Sequence, residues 1–128
     1  MNTMQHEFDA VVEHLYKQGK PAMTQAAGDL GSGCAYRGDN CTSCAVGCRI
    51  PDSMYDDRME GEVVGTLINH VGFTLPEEIY AYPRLFASLQ NVHDSAAVGS
   101  EGMFDIDSLT AYLRYAANEH NLTFVAPQ

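Results

Sequence analysis

Four cysteines stand within fifteen residues, at Cys34, Cys41, Cys44 and Cys48, and no other position in the chain carries one. A structural metal site needs three or four soft ligands brought together, usually from two short knuckles. Cys41-x2-Cys44 has the spacing of one knuckle, Cys34 could reach it across a turn, and Cys48 lies one turn or one strand further on. The whole pattern of x6, x2 and x3 is not the paired Cys-x2-Cys layout of a zinc ribbon. Its last three members share part of an iron–sulfur run, but the neighbouring spacing departs from it. Zinc is therefore the alternative expectation, and the leading one is no cofactor. Cysteine is among the most buried residue types and packs as a small hydrophobe, here beside Ala45, Val46 and Ile50.

The same stretch carries groups that suit an anionic small molecule. Tyr36 and Tyr55 offer flat faces for stacking, and Arg37, Arg49 and Arg58 offer planar forks for phosphate or carboxylate. Glycines at 33, 38 and 47 would let a ligand approach the backbone. The competing expectation is that Tyr36 packs against its own segment and the arginines pair with Asp52, Asp56 or Asp57. Nucleophilic catalysis would need a thiolate beside a base that a third group orients. None of His6, His14, His70, His93 and His120 is near the cysteines in sequence, so no catalytic residue is assigned and an enzyme is not expected.

Five carboxylates, Asp52, Asp56, Asp57, Glu60 and Glu62, fall within eleven residues, with Arg58 among them. Across the 128 residues, seventeen acids against seven bases give a net charge of −10. Such a field repels phosphate backbones, so generic nucleic-acid binding is not expected; it favours solubility and, where there is a partner, a basic one. The 52–62 segment is the candidate partner-binding surface. No run approaches eighteen apolar residues, so no membrane span is expected. The first thirteen residues lack a basic start followed by an apolar run, which points to a reducing cytosol.

The elements that must position these residues are legible in part. Phe8, Val11, Val12 and Leu15 define one face of a helix over residues 3–18, capped by Asn2 or Thr3 and stopped by Gly19 and Pro21. Residues 22–33 read as a glycine-rich loop without the Lys-Ser/Thr of a phosphate loop. Residues 34–37 and 44–48, separated by six turn-forming residues, predict a β-hairpin, although the four-residue step from Cys44 to Cys48 also fits a helical turn. Val63, Val64, Leu67, Ile68 and Val71 form an apolar stripe ending at Gly72. Residues 74–78 read as a turn, and Pro83 opens a helix carrying Leu85, Phe86, Leu89 and Val92. Asp105 or Asp107 caps a last helix with Leu109, Tyr112, Leu113, Ala116 and Ala117 inside. The expected architecture is a single α+β domain over 1–128, about four helices packed on a small hairpin in the N-terminal half.

Cys-Ala-Tyr-Arg-Gly at 34–38, Cys-Ala-Val-Gly-Cys-Arg-Ile-Pro-Asp at 44–52, Tyr55 and Met59-Glu60-Gly61 form a recognisable series. With the opening Phe8-Asp9-Ala10-Val11-Val12-Glu13-His14-Leu15, they resemble a family of small bacteriophage- and prophage-encoded proteins over residues 5–70. The resemblance implies a phage setting in the cytoplasm of a bacterial host and no particular activity. One departure is Cys41, where the family's turn would carry glycine, which weighs against a role needing all four thiols. The expected function is that of a phage accessory protein that binds and inhibits a host defence or regulatory protein. Sequestration of a small nucleotide immune signal around Tyr36 and Arg37 is the first alternative, and a zinc-stabilised interaction module the second.

Overall fold

A computed structural model describes residues 1–23, 35–99 and 101–127. These hold five α-helices: α1 (Met4–Gln18), α2 (Val64–Asn69), α3 (Glu77–Ala81), α4 (Pro83–Ser95) and α5 (Ile106–Glu119). Helix α4 is the centre, packed against each of the other four. The glycine-rich stretch expected as a loop, residues 24–33 of it, and Cys34 lie outside the described residues. Among the described residues, no helix is long and apolar enough to cross a membrane.

Helix α1 begins where the Thr3 hydroxyl accepts the His6 N–H at 3.1 Å. It ends at Gly19, whose φ of 72° lets its N–H turn back to the Leu15 carbonyl. Phe8, Val11, Val12 and Leu15 are all buried, as their spacing requires. Pro83 opens α4, which buries Leu85, Phe86, Leu89, Val92 and also His93. Asp105 caps α5 through the Ser108 N–H at 3.0 Å, and Leu109, Leu113, Ala116 and Ala117 face inward. Tyr112, expected inside with them, is 40% exposed and lies with Tyr115 along the rim of a groove between α4 and α5. The apolar stripe at 63–71 is shorter than it reads. Helix α2 stops at Asn69, Val63 and Val71 stay exposed, and Phe73 enters the core after the turn at His70. The short helix α3 begins within the 74–78 stretch expected as a turn, since Glu77 and Glu78 form its first two residues.

The expected α+β class is incorrect. The described residues contain no strand and no hairpin; Arg37 and Ser43 meet in one isolated antiparallel bridge. The reason is where the backbone donors go. The N–H of Cys48 bonds the Cys44 carbonyl at 3.0 Å and that of Arg49 the Val46 carbonyl at 2.9 Å, so 44–50 winds into turns. A ladder partner would need those same groups free. The four-residue step from Cys44 to Cys48 is thus a helical turn. Between the two segments Asn40 and Cys41 both take left-handed backbone, with φ of 60° and 62°, inside a 3-10 turn over Asp39–Cys41. The fold is helical, with an irregular 35–62 segment laid over α1 and α4.

Candidate functional site

The two halves of the cysteine-bearing motif meet at Gly47. A β-carbon there would overlap the carbonyl of Tyr36, so the second segment packs directly on the backbone of the first. Glu60 holds the arrangement from the other side. Its carboxylate accepts the N–H of Tyr36 at 2.8 Å, the N–H of Arg37 at 3.0 Å and the hydroxyl of Tyr55 at 2.6 Å. Tyr36 is buried and donates its hydroxyl to the Glu62 carbonyl at 2.5 Å. Burial holds both tyrosine hydroxyls above their ordinary pKa, with the Glu60 hydrogen bond adding to the effect at Tyr55. Thus the Tyr-Arg, Cys-Ala-Val-Gly and Met-Glu-Gly segments form one hydrogen-bonded unit.

All three candidate anion-binding arginines have intramolecular carboxylate partners. Arg37 donates to Asp52 at 2.5 Å and to the Ile50 carbonyl at 2.6 Å, with its guanidinium 4.7 Å from the Tyr55 ring centre. Arg49 reaches Glu7 on α1 through two bonds of 2.9 Å, and those bonds raise the guanidinium pKa further. Arg58 forks onto Asp56, holding that carboxyl down at about 2. Asp56 also caps the turn Asp57–Met59. The structure therefore brings Tyr36, Arg37 and Tyr55 together through Glu60 and Tyr55's ring, while Arg49 and Arg58 point to separate carboxylates.

The thiols face their own backbone. Cys44 is fully buried and accepts the Gly47 N–H at 3.1 Å, while Cys48 donates to the Ala45 carbonyl at 3.3 Å. Burial pushes both thiols up to about 12. Cys41 is exposed on the turn. Cys34 lies outside the described residues, and among the described ones no group of three or more His, Cys, Asp or Glu is placed to hold a metal ion. Of the histidines, His14 bonds the Ser43 carbonyl at 2.8 Å, and buried His93 accepts the Ala22 N–H at 2.9 Å. That bond puts the His93 ring proton on Nδ1, where it is donated to Asp94 at 2.7 Å.

A cleft of about 600 Å³ opens between the 60–65 segment and α4. Three carboxylates line it, Glu60, Glu62 and Asp94, together with Gln90 and Asn91, and among the described residues no lysine or arginine does. Such a wall attracts a cation and repels a phosphate. Within the acidic segment Asp52, Asp57 and Glu62 are exposed, whereas Asp56 and Glu60 are partly covered and bonded. Sequence reasoning found the acidic segment but missed its opposite wall. The signal was the polar face of α4, since Ala87, Gln90, Asn91 and Asp94 recur at helical spacing opposite Leu85, Phe86, Leu89 and Val92.

No protein-family model, no curated protein and no solved structure matches this chain.

Proposed function

We propose that the protein acts by non-covalent binding, with its acidic 52–62 segment and the adjoining cleft receiving a basic protein partner. The observation that carries this reading is an asymmetry of charge. Arg37, Arg49 and Arg58 are each matched by a carboxylate of the same chain, while the cleft is walled by Glu60, Glu62 and Asp94 without a base. An anionic nucleotide would have to displace internal ion pairs and enter a negative field; a basic surface would meet that field directly. The phage-like motifs of residues 5–70 supply the setting: an accessory protein that blocks a host defence or regulatory protein in the bacterial cytoplasm.

The test begins with recovery of the partner from bacterial lysate on the immobilised protein, followed by association kinetics at low and high salt. Steering by exposed charge predicts an on-rate that falls roughly tenfold or more between about 50 and 300 mM salt, with the off-rate changing less. Asp57→Asn combined with Glu62→Gln should reproduce part of that slowing at low salt. Both side chains are exposed, whereas Asp56 is avoided because it caps a turn. An on-rate indifferent to salt and to both substitutions would reduce the segment to a solvated surface. Calorimetric heat with a mono- or cyclic nucleotide would instead favour the sequestering function.

A further inference from the structure

The outer ridge of α4 separates two depressions. On one side lies the acidic cleft; on the other, a groove of about 310 Å³ runs between α4 and α5 and is lined in part by Tyr112, Tyr115 and Glu119. Ala87 and Asn91, one helical turn apart and both exposed, line the two depressions at once. Tyr115 is 70% exposed and Tyr112 40%, although α5 could have carried polar residues at both positions. We propose that this ridge, with the acidic cleft and the tyrosine groove on its flanks, is the docking site for a basic amphipathic helix of the partner protein. The inference rests on the basic-partner reading above and adds where that partner sits and in what form.

Three features point to a helix with positive charge. First, helices pack by setting the ridge of one into the groove of another, and a small residue such as Ala87 at the crest lets the axes come close. Second, one face of an incoming helix presents rows of side chains at i, i+3, i+4 and i+7. An apolar row suits the faces of Tyr112 and Tyr115, and a row of lysines or arginines beside it suits Glu62 and Asp94. A cation passing over either tyrosine face is attracted as well. Third, among the described residues neither depression is lined by lysine or arginine, while Glu60, Glu62 and Asp94 line one and Glu119 the other. Helix α4 has thirteen residues, a span of about 20 Å, which accommodates three to four turns of a partner. A second copy of this chain is a poorer occupant, because two molecules of net charge −10 repel each other.

The probe is a synthetic peptide of about eighteen residues, long enough to hold a helix, with leucines at i, i+3, i+4 and i+7 and lysines or arginines elsewhere. Titrated into isotope-labelled protein at low salt, it should shift the amide signals of Ala87, Asn91, Tyr112 and Tyr115. A scrambled peptide of the same composition should bind about tenfold more weakly, as should the designed peptide to Ala87→Arg or to Tyr115→Ser. Both substituted side chains are exposed, and circular dichroism of each variant checks that the helices persist. Equal binding of the scrambled peptide, with shifts confined to residues 52–62 and no effect of Ala87→Arg, would overturn the ridge while leaving the basic-partner reading in place. No binding of either peptide would overturn both. Self-association in sedimentation that Ala87→Arg abolishes would assign the ridge to a second copy and overturn the helix proposal.

Discussion

Gly47 sits so close to Tyr36 that any β-carbon at position 47 would overlap the Tyr36 carbonyl. The neighbouring backbone cannot retreat easily, since the Tyr36 N–H is held by Glu60 and its carbonyl accepts the Cys44 N–H at 3.2 Å. One absent side chain therefore lets the Cys-Ala-Val-Gly segment lie on the Tyr-Arg segment.

Gly47→Ala should destabilise the fold by about 1–3 kcal/mol or more, the cost of forcing atoms into filled space. Gly65→Ala makes the same chemical change in α2, where a β-carbon would meet nothing within 4 Å. That variant should be neutral or stabilising by about 0.5–1 kcal/mol, because alanine favours helix over glycine. The urea midpoint of Gly47→Ala should fall while that of Gly65→Ala holds or rises, and an equal fall in both would contradict the packing at Gly47.

Arg49 is the tie between the cysteine segment and α1, and its partner Glu7 is 2% exposed. Arg49→Ala should cost about 3 kcal/mol, because among the described residues the Glu7 carboxylate would then keep only the Asn2 amide, at 3.0 Å. Arg49→Lys restores charge without the two-pronged geometry and should recover part of the loss. Replacing both Glu7 and Arg49 with leucine should be milder than Arg49→Ala alone, since no buried charge is left over. Denaturant unfolding of the three variants gives the order directly.

Glu60→Ala removes the acceptor of two backbone N–H groups and one hydroxyl. A loss of about 2–4 kcal/mol is expected, with Glu60→Gln losing less because it keeps one acceptor oxygen. Hydrogen exchange localises the effect: the Tyr36 and Arg37 amides should exchange faster in Glu60→Ala, while the core amides of α4 follow only the global change. Unchanged protection at Tyr36 would mean that Glu60 does not hold this segment in solution.

Alkaline pH should weaken the fold. Cys44 and Cys48 are pushed by burial from an ordinary value near 9 to about 12. As pH rises past 9 the unfolded chain releases these protons first, so the native state binds more protons and stability falls with pH. The contribution is complete below about pH 9 and is lost towards about pH 12, with a slope of up to about 1.4 kcal/mol per pH unit for each thiol. Urea unfolding in reductant across that window should show the decline, and Cys44→Ala should flatten it. In the native protein a thiol reagent should modify exposed Cys41 well before Cys44 or Cys48.

The three long helices, α1, α4 and α5, were readable because each is specified locally. Thr3, Gly19, Pro83 and Asp105 cap or open helices from their own positions, and the Phe8–Leu15, Leu85–Val92 and Leu109–Ala117 stripes show the 3.6-residue period without knowledge of any neighbour. The clustering of acids at 52–62 was equally visible in the sequence, as were carboxylate partners among them for Arg37 and Arg58; the partner of Arg49, Glu7 on α1, was not. The 34–48 segment was not. Its short apolar pieces separated by turn residues suit a hairpin and a helical turn alike, and the choice depends on which acceptors its N–H groups meet. Those acceptors come from far along the chain: Glu60 for Tyr36 and Arg37, Gln18 for Ser43, and Gln90 for Val46. The cleft has the same origin, since Glu62 and Asp94 are thirty-two positions apart and line one cleft because α2 packs on α4. A local pattern determines which face of a helix is apolar; only long-range packing decides which backbone donors a loop can satisfy and which charges face one another.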